Sequence, residues 1–133
     1  MHYLLDTNIC IYLIKQRPKQ VLQHFEKHPP KDVAISSVTQ FELEYGAEKS
    51  GAKDRSTKAL KKFLLPLTVV DFDKEAALKA ASVRAQLEKK GTPIGAYDLL
   101  IAGVALARDM CLVTNNIREF QRIEELQIEN WAE

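Results

Sequence analysis

The sequence has only two cysteines in 133 residues, Cys10 and Cys111, each inside an apolar stretch and without C-x-x-C spacing. That excludes a disulfide framework and a thiolate zinc site, and it makes two buried free thiols the expectation. Long hydrophobic runs are missing as well: none approaches the roughly 20 residues of a spanning helix. Met1 leads into an apparent strand without a signal-peptide pattern, so a cytoplasmic chain is expected. Nor is there an excess of charge of one sign, because the formal net charge is +1. No nucleic-acid or membrane partner follows from global electrostatics, and any RNA-binding face must be local. Of the three histidines, only His24 and His28 share helical spacing. H-x-x-x-H without an intervening glutamate or a third ligand is a weak zinc signal, and a solvated pair is expected. Repeats, linkers and low-complexity tracts are absent from the sequence.

What is present suits one ordinary core. At 46% hydrophobic and 28% charged residues, the composition is that of a globular protein, and the length fits one domain spanning residues 1–133. Tyr3-Leu4-Leu5 reads as a strand ending at Asp6, and a helical pattern starts at Thr7-Asn8. Lys19 to Lys27 reads as a second helix, and Asp32 to Ile35 as a second strand ending in Ser36-Ser37. Ser37 with Gln40 three residues on is a capping-box signal for a helix to about Ser50. Ala59, Leu60, Phe63 and Leu64 mark another helix, and Leu67 to Phe72 a strand closed by Asp73, itself a good N-cap. The helix after it ends at Gly91; Tyr97 to Arg108 forms a strongly apolar helix, Cys111 to Val113 a strand, and Leu126 to Ile128 a last strand before Trp131. This alternation predicts an α/β fold with a mainly parallel central sheet flanked by helices. In such sheets ligands bind beyond the carboxyl ends of the strands, where Asp6, Ser36-Ser37 and Thr114-Asn115-Asn116 all fall.

Three acids stand at or near helix starts. Asp6 alone fits either a helix cap or a ligand; Glu42, between Phe41 and Leu43, fits either a solvated helix face or a partly buried group needing a partner. Asp98 follows a Gly-Thr-Pro-Ile-Gly-Ala-Tyr loop and either complements the helix dipole or faces a site. Their conjunction favours the site reading, since crowded carboxylates repel without a cation. Oxygen-only ligands point to a hard ion, Mg²⁺ or Mn²⁺, and such ions suit phosphodiester hydrolysis. Lys49, Lys53, Arg55, Lys58, Lys61 and Lys62 form a basic run that is either a solvated face or a source of phosphate contacts.

Leu4-Leu5-Asp6-Thr7-Asn8, Ile35-Ser36-Ser37 with Glu42-Leu43, Tyr97-Asp98 and Val113-Thr114-Asn115-Asn116 with Glu119-Phe120 together resemble a PIN domain. Gly46 to Ser50, Lys90 to Gly95 and Arg118-Glu119-Phe120 are similar to bacterial VapC-type toxins, and the likeness runs over nearly the whole chain. The resemblance implies a Mg²⁺- or Mn²⁺-dependent endoribonuclease toxin, restrained by a VapB-type antitoxin and commonly homodimeric. It also implies an RNA substrate, with the anticodon stem-loop of initiator tRNA leading. Asp6, Glu42 and Asp98 match acidic positions of the family site, and Thr7, Ser37, Thr114 and Asn115 are expected to support it.

One position departs from the family. Many PIN domains carry an aspartate in a T-x-D pattern where this chain has Thr114-Asn115-Asn116, and Glu119 is the candidate to supply the missing carboxylate. Asn116 would lower the negative charge of the site, which leaves one metal or two open. Among rivals, a dehalogenase-type phosphatase needs a second acid two residues after the first, where Asn8 stands. A phosphoacceptor module needs a lysine after a late strand, and none follows Val113. A catalytically silent PIN-like RNA-binding or scaffold protein is the stronger alternative, because a fold does not fix a function.

Overall fold

A computed structural model describes residues 2–133. Among these residues, five strands form one parallel sheet: β1 (Tyr3–Leu5), β2 (Val33–Ser36), β3 (Thr68–Val70), β4 (Cys111–Val113) and β5 (Ile128–Glu129). The spatial order is β3-β2-β1-β4-β5. The connecting helices are α1 (Thr7–Lys15), α2 (Lys19–Glu26), α3 (Ser37–Glu48), α4 (Lys53–Leu64), α5 (Lys74–Lys89), α6 (Ala96–Ala107) and the short α7 (Ile117–Phe120). The expected α/β architecture is therefore observed.

The strands read as continuous apolar runs because both faces of the sheet are covered. Leu4, Ala34 and Leu112 lie side by side and pack under α5 and α6, with Ala80, Val83, Ile101 and Val104. Their neighbours Leu5, Ile35 and Val113 face the other way, toward Ile9, Leu13, Val21, Leu43, Leu60 and Trp131 from α1 to α4 and the C-terminal segment. Alternation along each strand thus feeds two cores. Strand order reverses beside β1, so the segments after β1 and β4 flank the crevice where ligands bind in open parallel sheets.

Local signals set the helix ends. Asp73 caps α5 by accepting from the Ala76 N–H at 3.0 Å. Gly91, at φ 72°, turns the chain out of that helix while the Thr92 N–H returns to the Leu87 carbonyl at 2.9 Å. The contact of α5 with α6 depends on Gly103. A Cβ there would stand 2.7 Å from the Ala76 carbonyl oxygen and 2.9 Å from the Ala80 Cβ, so the absent side chain sets how closely the helices approach.

Several details differ from expectation. The cap of α3 is Ser36, whose Oγ accepts from the Thr39 N–H at 3.0 Å. Ser37 instead accepts from the Phe72 N–H at 3.0 Å and pins the segment after β3. The strands β3 and β5 are shorter than the apolar runs that announce them, and β5 starts only at Ile128. His24 and His28 are not a solvated pair. Both rings stack on fully buried Trp131, with centroids 5.9 and 5.2 Å away. Both thiols are free, but only Cys10 is buried; Cys111 is partly exposed. Among the described residues, no helix is long and apolar enough to cross a membrane.

Candidate active site

Asp6 directly follows β1 and takes up the helix cap, one of the two roles that the sequence left open. Its Oδ1 caps α1 by accepting from the Ile9 N–H at 2.9 Å, while Oδ2 accepts from the Thr114 hydroxyl at 2.5 Å. The residue is only 3% exposed. Burial pushes its carboxyl up to about 6, and the charges of Asp98 and Glu42 add to that push; the Thr114 hydroxyl and the Ile9 N–H work against it.

Thr114 ends β4 and links Asp6 to the neighbouring loop. Its Oγ1 accepts from the Asn116 N–H at 2.9 Å while donating to Asp6. The Asn116 side chain then joins two further acids: Nδ2 donates to Glu119 Oε2 at 2.7 Å and reaches Asp98 Oδ2 at 3.4 Å. Asp98 lies in the first turn of α6 and Glu119 on α7, one short turn beyond Asn116. Burial raises the Asp98 carboxyl above its ordinary range, Glu119 and Glu42 raise it further, and the Asn116 amide lowers it.

Glu42 reaches the same edge from α3. Its Oε1 accepts from the Thr7 hydroxyl at 2.6 Å, and Thr7 Oγ1 also lies 3.2 Å from the buried hydroxyl of Thr39. Thr39 belongs to the site's support and is absent from the sequence-based set. Its position three residues after the cap Ser36 and three before Glu42 was the available signal, because that spacing keeps it on the inner side of α3.

The structure brings together Asp6, Glu42, Asp98 and Glu119, with Thr7, Thr114 and Asn116 bonded among them. Two expected supporters lie elsewhere. Ser37 holds Phe72, and Asn115 points to the other side of its loop, donating to the Tyr12 hydroxyl at 3.3 Å and accepting from Asn130 at 3.1 Å. These bonds tie its loop to α1 and to the C-terminal segment. In the basic run Lys53 is taken up in a surface pair with Glu48 at 2.9 Å. Lys15 and Arg55 border an apolar groove between α1, α3 and α4 that includes Ile11, Ile14 and Leu60 and ends at Glu42.

The donor set is all oxygen. The negative neighbours raise both Asp6 and Asp98, and no basic side chain is among the groups that act on either. Such a cluster favours a cation. Among the described residues, no three Asp, Glu, His or Cys side chains stand close enough to hold an ion directly as placed. The donor chemistry, carboxylates alone, is that of a site for a hard ion.

Comparison with known proteins gives an independent result. The family model described as "PIN domain" matches residues 3–126. The chain is 44% identical over 132 residues to the tRNA(fMet)-specific endonuclease VapC of Salmonella typhimurium, covering 99% of each protein. It is 42% identical, again covering 99% of each, to the protein of that name from Shigella flexneri. It also superposes with a TM-score of 0.92, at 42% identity and over 98% of this chain and 99% of the other, on a chain in the crystal structure of VapBC2 from Rickettsia felis bound to a DNA fragment from their promoter.

Proposed function

The chain belongs to the PIN-domain family, and from that premise we propose that residues 1–133 form one PIN domain that acts as a metal-dependent endoribonuclease toxin of a VapBC-type system. The observation that carries this reading is the gathering of Asp6, Asp98 and Glu119 at the carboxyl edge of a parallel sheet, linked through Thr114 and Asn116, with Glu42 held beside them by Thr7. In this reading Asp6, Glu42 and Asp98 would hold Mg²⁺ or Mn²⁺, in part through water, and Glu119 would supply the carboxylate that Asn116 lacks. When bound, the ion supplies a hydroxide nucleophile at neutral pH and neutralises the charge that builds on the phosphate.

The chain's own residues do the rest. Thr114 and the α1 amide fix both oxygens of Asp6, so that carboxylate is preorganised. Thr7 orients Glu42, and Asn116 keeps Asp98 and Glu119 side by side while contributing no charge of its own. Two named relatives act on tRNA(fMet), and initiator tRNA is the substrate proposed for this chain, cut in the anticodon stem-loop. Incubating purified protein with initiator and elongator methionine tRNAs, with Mg²⁺ or with a chelator, tests this. Selective, metal-dependent cuts in the initiator anticodon arm are expected; unchanged cutting after exhaustive chelation sinks the mechanism.

The restraining partner is a VapB-type antitoxin, in a toxin–antitoxin hetero-oligomer or with the toxin as a homodimer. The apolar groove ending at Glu42 suits an amphipathic segment whose arginine would meet the carboxylates. Purification from the native host is expected to yield a stable complex, and a free, active chain in growing cells would refute the toxin reading.

A further inference from the structure

Three exposed aromatic rings border the acidic edge: Phe41 is 54% exposed, Tyr45 57% and Tyr97 48%. None of them belongs to either hydrophobic core. Phe41 immediately precedes Glu42, and Tyr97 immediately precedes Asp98. Their rings meet across the α3–α6 contact with centroids 5.8 Å apart and planes tilted by 57°. Tyr45 lies one turn beyond Phe41 on α3, and Lys49 one turn beyond that, its Nζ 5.0 Å from the centre of the Tyr45 ring.

Scattered exposed hydrophobic residues need no explanation. A stripe at i, i+4 and i+8 with carboxylates at one end and an ammonium at the other does, because it has a direction. Over about 12 Å of helix, the chain offers an ion-binding end, then aromatic faces, then a cation. Aromatic faces beside a cation are how proteins hold single-stranded nucleic acid: bases stack and the backbone is neutralised. An apolar partner surface would have to bury both charged ends of this stripe to cover its rings.

We propose that Phe41, Tyr45 and Tyr97 form a stacking surface for unpaired RNA bases beside the scissile phosphate, with Lys49 taking a neighbouring phosphate. The inference rests on the ribonuclease reading and adds the residues that set which unpaired stretch lies in register. A fully paired stem cannot lay its bases on these rings, so the surface selects loops.

The test uses the full chain with Phe41→Leu and Tyr97→Leu, which keep apolar bulk and remove the aromatic face, Phe41→Trp as the rescuing variant, and Leu65→Ala as an exposed control just past the end of α4. Binding is read without metal from the quenching of 2-aminopurine in a short single-stranded RNA, KM from cleavage with metal, and mass from sedimentation. Each leucine variant is expected to weaken binding and raise KM about tenfold, with quenching lost, and Phe41→Trp to restore both. Leucine variants that quench and cleave like the parent overturn the proposal. So does a fall from dimer to monomer that accounts for the lost activity, since the rings would then seat a second copy. A parent chain that quenches the probe but cuts no RNA supports the surface and removes the ribonuclease reading. One that cuts RNA without quenching does the reverse.

Discussion

The amide nitrogen of Asn116 donates to Glu119 over 2.7 Å and from the same position reaches Asp98 at 3.4 Å. A neutral side chain thus stands between two acids where many relatives carry a third. Glu119→Gln is expected to raise the Mg²⁺ concentration needed for half-maximal cleavage, with activity partly recovered at high metal. Asn116→Asp is expected to lower that requirement or leave it unchanged, and to lower the melting temperature in chelator, where three carboxylates then repel. A Glu119→Gln titration that overlays the parent removes Glu119 from the site.

Asp98→Asn keeps the volume and deletes a charge that its neighbours already disfavour. Cleavage is expected to fall at least about 100-fold, while the metal-free variant melts at or above the parent. Circular dichroism melts beside the cleavage assay check both halves. Cleavage at the parent rate by the folded variant would falsify the assignment.

Gly103→Ala places a methyl group 2.7 Å from the Ala76 carbonyl oxygen. The overpacking costs about 1–3 kcal/mol, more than the roughly 1 kcal/mol that alanine returns in helix propensity. Denaturant unfolding is expected to show a net loss of stability, and a gain would mean that α5 and α6 part without cost.

Asp73 caps α5, and its carboxyl is held below the ordinary range first by the Ala76 N–H and then by Arg108. A depressed folded value means that the folded state favours the charged form. The contribution is therefore present above the unfolded value and is lost as pH falls through the folded one. Asp73→Ala is expected to melt lower than the parent at pH 7, with the gap closing as the solution is acidified into the carboxylate range. A gap that does not change with pH removes the charge from the explanation.

How much of this was legible depended on the range of the interaction. The apolar runs at Leu4-Leu5 and Leu112-Val113, the cap at Asp73 and the stop at Gly91 are local signals, and the structure contains each as read. Ser36 and Ser37 are adjacent hydroxyls with equal local claims to the α3 cap. The choice is visible only through Phe72, which takes Ser37 across 35 residues of chain. Asn115 is drawn away from the acids by Tyr12 and Asn130, both distant in sequence. The histidines pair with Trp131 for the same reason. Asp6 and Asp98 were readable because one follows a strand and the other lies in the first turn of a helix, while Glu42, in the middle of α3, stood out by its apolar neighbours Phe41 and Leu43. Gly103 was not, since a close helix crossing leaves no pattern in one sequence, whereas Thr39 had only its spacing from Glu42 to mark it.

The hydrogen bond from Thr114 to Asp6 joins residues 108 positions apart, and it has a temporal meaning. Along the chain Asp6 comes first, and Thr114, Asn116 and Glu119 follow 108 or more positions later. Asp6 lacks its hydroxyl donor and Asp98 its amide neighbour until β4 has docked beside β1, on the side away from β2 and β3. The hydrogen bonds around Asp6 and Asp98 thus depend on a contact of long sequence separation, and they form only once β1 and β4 have paired.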